Sequence, residues 1–372
     1  MAAPAGFGHS RVMPTDLARR NAWAALAQRH LPNVAWAALL VAFPDPAAIV
    51  AATRAQLAQV VPPEVADVVA APPDPDVLAH TLAWLDVPGN ELIAWDDPGY
   101  PDALLELGFA PPVLFFRGRR ELLNRPALAI VGSRSASAQG LDNARDFARA
   151  LSDAGLTIVS GLALGVDAAA HEGALAGASS TLGVVGTGLD RVYPARNREL
   201  AHAIAERGGL LSEFVPGTPP RALNFPRRNR LISGMARGVL VVEAALQSGS
   251  LITARYAGEQ GREVFAIPGS IHSPLAKGCH RLIREGAKLV ETAEHVLEEL
   301  GMAGAGRPLQ SARAAPMSGS PVLAALGEDP AFVDTLVART GLPADAILAE
   351  LTGLELEGRV ESRPGGGWQR RH

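Results

Sequence analysis

The chain has 372 residues, 48% of them hydrophobic, a formal charge of −4 and one cysteine, Cys279. No apolar run reaches membrane-spanning length and no basic flank followed by an apolar core marks a secretion signal, while a lone cysteine excludes an internal disulfide and a zinc site built on cysteine pairs. A globular, cytoplasmic protein of two or three domains, without membrane insertion, is the expectation.

Residues 16–85 are alanine-rich and helical in pattern. Leu17, Trp23 and Leu26, then Val34, Leu39 and Leu40, then Ile49, Leu57 and Val60 recur between proline-bearing turns. The breaks at Leu31-Pro32-Asn33 and Phe43-Pro44-Asp45 suit a helix-turn-helix array, giving a small helical domain over 1–90. Residues 1–124 carry 8 basic and 13 acidic side chains, so this domain reads as an unlikely primary DNA site. The next stretch, 92–118, reads as short strands around a helix and leads into a central domain over 91–300.

From 127 onward short apolar strands alternate with helical stretches: 127–131, 157–159, 181–185, 209–212, 239–242, 263–267 and 288–290. This alternation is the signal of a mostly parallel, doubly wound α/β sheet covered on both faces. Residues 301–320, rich in Gly, Ala, Pro, Arg and Ser, read as a linker. Beyond it, three helices over 321–326, 332–340 and 343–356, with strands near 359–361 and 365–369, suggest a winged helix over 321–372. Its candidate recognition helix carries Asp345, Glu350, Glu355 and Glu357 and no basic residue, which argues against major-groove reading. The far edge of the sheet, near Leu289, Val290, Val296 and Leu297, is expected to offer an apolar surface for self-association.

In a doubly wound sheet, ligands sit beyond the carboxyl ends of the strands. Those ends here are Gly132-Ser133-Arg134-Ser135, Ser160-Gly161-Leu162-Ala163-Leu164-Gly165, Gly186-Thr187-Gly188, Ser212-Glu213, Glu243 followed by Ser248-Gly249-Ser250, and Pro268-Gly269-Ser270. Small residues let backbone approach a ligand, and helices that start just after them turn free N–H groups toward an anion. Residues 125–290 hold 19 basic against 13 acidic side chains, and 221–290 hold 11 against 4. At the centre of that block stands Asn224-Phe225-Pro226-Arg227-Arg228-Asn229-Arg230, whose guanidiniums suit phosphate and whose ring suits a splayed base.

Two competing chemistries find weaker support. No G-x-G-x-x-G and no Gly-Lys of a Walker loop is present; Gly183-Val184-Val185-Gly186-Thr187-Gly188 has the glycine spacing reversed. Asp167 and His171, four apart, share a helix face and would suit an acid–base pair. The blander reading has Asp167 answering N–H groups in the helix's first turn and His171 bonding back to a neighbouring loop. Glu213 and Glu243 would serve as a carboxylate pair or as anchors for the arginines.

These motifs, with Tyr193-Pro194, Leu251, Thr253-Ala254, Gly278-Cys279 and Gly286-Ala287, fall in an order that resembles the DNA-processing protein A (DprA, or Smf) family over residues 92–290. The resemblance implies an extended Rossmann-like domain that binds single-stranded DNA with little sequence preference. It also implies a sterile-alpha-motif-like helical domain before the sheet and a winged helix after it. Members protect incoming strands in natural transformation, help load the RecA recombinase and act as homodimers; no cofactor, metal or catalytic turnover is implied. By position, Arg134, Phe225, Arg228 and Arg230 line the DNA groove, with Arg221 as the basic residue ahead of the Phe-Pro. Ser160, Gly161, Ser248 and Gly249 offer hydroxyl and backbone donors, and Ser133, Asn224, Arg227, Asn229, Ser250 and Thr253 belong to the same site. The alternative is a nucleotide-processing enzyme on a related sheet, one that splits ribosyl phosphate from a nucleoside monophosphate. That family shares the Gly-Ser-Arg start, but its Pro-Gly-Gly-x-Gly-Thr turn is replaced here by Pro268-Gly269-Ser270-Ile271-His272.

Overall fold

The computed structural model describes residues 14–43, 45–108, 110–302, 320–326, 330–363 and 366–371. Most of the expected linker, 303–319, and residue 365 of the expected wing lie outside the described residues.

Six helices open the chain: α1 (Pro14–Leu26), α2 (Asn33–Ala42), α3 (Pro46–Ala51), α4 (Arg54–Leu57), α5 (Pro63–Ala70) and α6 (Pro75–Leu85). Their boundaries follow local chemistry. Asp45 accepts from the Ala47 amide ahead of α3, Thr53 and Gln56 cap α4 reciprocally, and Asp74 accepts from the amides of Asp76 and Val77 ahead of α6. Trp23 and Trp36 meet with ring centroids 6.3 Å apart. They share a core with Leu39, Ile49 and Leu57 and with Ala94 and Val113 of the sheet, so the helical unit is packed onto the sheet's edge.

The sheet is built from β1 (Asn90–Ala94), β2 (Val113–Gly118), β3 (Ala127–Val131), β4 (Thr157–Ser160), β5 (Thr181–Val184), β6 (Gly209–Ser212), β7 (Gly238–Val241), β8 (Glu263–Ala266) and β9 (Lys288–Leu289). Between them lie α7 (Asp102–Leu105), α8 (Ala138–Asp153), α9 (Val166–Ala176), α10 (Arg198–Arg207), α11 (Asn224–Gly234), α12 (Ser250–Glu259) and α13 (Lys277–Arg284), and α14 (Ala293–Glu299) follows. The order is β1-β2-β6-β5-β4-β3-β7-β8-β9, with β2 antiparallel to both of its neighbours, β1 and β6, and every other pairing parallel. Consecutive residues of β3 alternate between two cores. Ala127, Ala129 and Val131 join Leu231, Ile232, Ala254 and Cys279 on one face, while Leu128 and Ile130 join Phe147, Leu151, Ala170 and Val296 on the other. Burial on both faces explains why these strands are apolar throughout. From β3 the chain winds outward through β4, β5 and β6, then restarts on the other side at β7. The switch point therefore lies between the carboxyl ends of β3 and β7.

The expected self-association patch is corrected. Val290, Val296 and Leu297 are buried beneath the sheet's last strand, and only Leu289 of the four is exposed, at 48%. Among the described residues no helix is long and apolar enough to cross a membrane.

The C-terminal unit has α15 (Pro321–Leu326), α16 (Val333–Thr340), α17 (Ala344–Leu356) and an antiparallel pair, β10 (Val360–Ser362) with β11 (Trp368–Arg370). This is a winged-helix domain.

Helices α8 and α9 touch at backbone distance. A Cβ on Gly173 would stand 2.1 Å from the Arg145 carbonyl oxygen, with no side chain able to yield. Gly173→Ala is expected to lower stability by about 2 kcal/mol through forced separation of the two helices. Its urea midpoint should fall with an unchanged slope.

Candidate nucleic-acid interface

A cavity of about 650 Å³ opens at the switch point. It is bounded by the turn after β3 (Ser133, Arg134), the start of α11 (Phe225, Arg228, Asn229) and the turn into α12 (Ser248, Gly249, Ser250, Thr253). The parallel sheet brings these together because every βα turn leaves on the same edge.

The floor is polar and tightly tied. Gly165, at φ +75°, places the turn after β4 against the backbone of Ser133 and Arg134, which no side chain there would allow. Asp167 accepts from the amides of Gly161 (3.1 Å) and Ala163 (3.3 Å), so its carboxylate binds the preceding loop and not the first turn of α9. Asn197 Nδ2 donates to the carbonyls of Leu162 and Ala163. Leu162 itself stands at φ +57°, a strained value for a non-glycine residue, which these ties hold in place.

His171 completes the floor. Its Nε2 accepts from the Leu162 amide at 3.3 Å. Thr181 Oγ1 donates to the Ile158 carbonyl and therefore accepts from His171 Nδ1, at 2.7 Å. That fixes a neutral imidazole with its proton on Nδ1, and burial beside Arg228 pushes its pKa down to about 3. Asp167 and His171 thus share a helix face as expected, but each is occupied by the loop, and the pair is structural.

The Arg228 side chain lies beneath the cavity, 4% exposed. Its Nη1 donates to the Val184 carbonyl at 2.8 Å, and its Nε has no partner among the described residues. Burial pushes its pKa down to about 10, with Asp167 opposing the shift. Burial in turn pushes Asp167 up, against the charge of Arg228 and the two amides. The guanidinium lies across Gly161, where a Cβ would stand 1.6 Å from Nη1.

Above this floor lie the half-buried Phe225 ring, the exposed Tyr193 ring and the exposed Arg134 cation. The Phe225 ring lies 5.7 Å from that of Tyr193, and the Arg134 guanidinium stands 5.7 Å over Phe225. Arg134 makes no ion pair among the described residues, although its charge acts on the Asp167 carboxylate. At the other wall the Ser248 and Ser250 hydroxyls lie 2.7 Å apart at the start of α12, and Ser248 Oγ accepts from the Ser250 amide at 3.3 Å.

Several expected residues lie elsewhere. Ser160 is buried, and its hydroxyl donates to the Ile130 carbonyl at 2.6 Å, so it is unavailable to a ligand. Gly161 lies under Arg228, with its amide on Asp167. Asn224 Nδ2 donates to the Gly186 carbonyl, and Arg221, Asn224 and Arg227 line a different cavity beyond the start of α11. Arg230 turns away to Glu213 at 2.5 Å, and Arg227 reaches the same oxygen at 3.5 Å. Glu213 therefore anchors arginines. Glu243 instead accepts from the amide and hydroxyl of Ser137 ahead of α8, packed where Gly140 leaves room. Pro268, Gly269 and Ser270 do not reach the cavity wall. Tyr193, outside the cavity lining but against Phe225, is the neighbour that reasoning from the basic segment missed; its signal was the Tyr-Pro dipeptide after β5.

Residues 91–301 match the family model described as DNA recombination-mediator protein A, and residues 307–366 match the DprA winged helix domain. Protein Smf of Escherichia coli (strain K12) is 43% identical over 300 residues, covering 78% of this chain and 80% of that protein. DNA processing protein DprA of Streptococcus pneumoniae is 49% identical over 203 residues, covering 55% and 72%. The solved structure of DprA from Streptococcus pneumoniae superposes with a TM-score of 0.65 at 37% identity, covering 77% of this chain and 98% of that one. A structure of DNA processing protein A from Helicobacter pylori, concerned with its single-stranded DNA binding mode, gives a TM-score of 0.52 at 30% identity, covering 57% and 95%.

The buried neutral His171 has a pH consequence. Its folded pKa of about 3 lies below the ordinary 6.5, so its contribution to stability is complete above 6.5 and is lost as pH falls toward 3. Between about pH 7 and about pH 5 this amounts to about 2 kcal/mol. Urea unfolding at the two pH values should show His171→Gln losing less stability than the wild type by that amount.

Proposed function

The chain belongs to the DNA recombination-mediator protein A family, and on that premise we propose that it binds single-stranded DNA at the rim beyond β3 and β7. The observation that carries this reading is the Phe225 ring on the wall of a cavity at the switch point, with the Arg134 guanidinium over it and the Tyr193 ring beside it. An aromatic face accepts any base, and a guanidinium accepts phosphate or stacks on the ring, which together suit a strand held without regard to sequence. The helix starts at α11 and α12 turn their positive dipole ends toward the same space. The Helicobacter pylori relative, which binds single-stranded DNA, supports the assignment.

The residues we assign to the strand are Ser133, Arg134, Phe225, Asn229, Ser248, Gly249, Ser250 and Thr253, with Tyr193 added and Arg228 shaping the floor. In this reading the protein acts in the cytoplasm, protects incoming strands in natural transformation and helps load the RecA recombinase. The helical domain over 1–90, the sheet domain over 91–300 and the winged helix over 321–372 are its working parts. We further propose that it pairs as a homodimer through the free edge of β9, the two-residue last strand of the sheet, where Leu289 is exposed.

Fluorescence anisotropy of labelled oligo-dT across a salt series tests the rim. Arg134→Ala should weaken binding and reduce the salt slope by about one, because one phosphate charge is lost. Phe225→Ala should weaken binding by about 1–3 kcal/mol with the slope unchanged, because a stacking face is lost. Wild-type binding that prefers duplex, or a slope unmoved by Arg134→Ala, refutes the assignment.

Sedimentation tests the edge. The wild type is expected to be a dimer at micromolar concentration and Leu289→Glu a monomer; a monomeric wild type removes the dimer proposal.

A further inference from the structure

A second cavity, of about 750 Å³, lies on the far side of the start of α11. Arg221, Leu223, Asn224 and Arg227 form its near wall, and they interleave along the chain with Ala222, Phe225, Pro226 and Arg228, which line the first cavity. Its opposite wall is the helical unit, through Gln28 and His30 beyond α1 and Val77 and His80 on α6. We propose that this groove is a second subsite for the same single strand, taking the nucleotides that pass over the start of α11 and making the helical unit part of the DNA path. The inference rests on the reading of the first cavity as the strand site.

Continuity is the first argument. One turn of helix separates the two cavities, so a strand leaving Phe225 and Arg134 in that direction meets the second groove next.

Chemistry is the second. Arg221 is exposed and its guanidinium has no partner among the described residues. Arg227 lies 5.4 Å over the Phe214 ring, and it shares its one carboxylate oxygen with Arg230, which holds that oxygen 1 Å closer (2.5 against 3.5 Å). Two cations thus face the groove with at most one half-satisfied. Between them Leu223 is 81% exposed, and Val215 adds apolar lining, so the groove offers phosphate and base contacts together.

Shape is the third. His80 Nε2 bonds Asp190 Oδ2 at 3.2 Å, and Asp190 Oδ1 accepts from the Gly217 amide at 2.8 Å. This chain ties α6 to the loop after β6 and holds the groove walls in place. The acid excess of the helical unit is not on this wall, where Asp76, in the first turn of α6, is the one carboxylate that unit contributes.

The test places a charge on the helical wall. Val77 stands third in α6, where a glutamate favours the helix start, so Val77→Glu keeps the fold while setting a carboxylate in the groove. Val77→Gln is the neutral control. Binding of oligo-dT of about six and about eighteen nucleotides, on either side of a typical site size, is measured for each. Val77→Glu is expected to weaken the longer oligonucleotide about fivefold, leave the shorter one unchanged and leave Val77→Gln at wild-type affinity for both. Wild-type affinity of Val77→Glu for both lengths, or equal loss on both, overturns the inference while leaving the first site standing. Failure of the wild type to bind either overturns the strand site itself.

Discussion

The site depends on one buried guanidinium. Arg228 joins α11 to the ends of β4 and β5 by lying across Gly161 and donating to the Val184 carbonyl. Taking such a charge out of water costs several kcal/mol, and here the cost is offset by Asp167 and by carbonyl contact. Asp167 in turn holds the amides of Gly161 and Ala163, so one charge pair fixes the loop after β4, the first turn of α9 and the start of α11 together. Apolar packing would not do this, because the loop is made of glycine and small residues with little surface to bury. Phe225 sits one turn ahead of Arg228, and its position over the cavity follows from that anchor.

Helical geometry then divides the basic segment. Successive residues of an α-helix are rotated by about 100°, so adjacent arginines cannot share a face. Arg228 goes beneath the cavity, Arg227 to the second groove, and Arg230 joins Arg227 on Glu213. The first turn of α11 thus carries cations where the helix dipole favours anions, and it has no side-chain cap. Both penalties have the same remedy, an anion from outside. In the proposed reading a phosphate beside this turn answers the dipole and the guanidiniums at once, so binding would relieve an electrostatically incomplete helix start.

Much of the fold was legible because strands buried on both faces are short apolar runs with little ambiguity. The reading of 127–131 and 209–212 coincides with β3 and β6, and 239–242 differs from β7 by one residue at each end. What the sequence could not show was neighbourhood. That β2 returns antiparallel beside β6, or that the switch falls between β3 and β7, is decided by packing across the whole sheet. At the site the motifs were legible and the directions of their side chains were not. A serine at a strand end looks like a phosphate donor, yet Ser160 completes a strand carbonyl instead. Val290, Val296 and Leu297 looked like an exposed apolar face, and an apolar pattern reads the same whether it meets solvent or its own core. Tyr193 was hidden by distance along the chain, since only the fold brings it to Phe225.

Net charge misleads in the same way, because it averages over surfaces that a ligand never meets together. A chain of −4 presents an unpaired Arg134 and an unpaired Arg221 on opposite sides of one helix start, while acidic side chains crowd α17 and the first 124 residues. Interaction between exposed charges fades beyond about 8 Å at physiological salt, so the rim's field is set by its nearest neighbours and not by the total. The distant acids still act on encounter. In the proposed reading they disfavour approach of a polyanion over the acidic outer surfaces and leave the start of α11 as the favourable side.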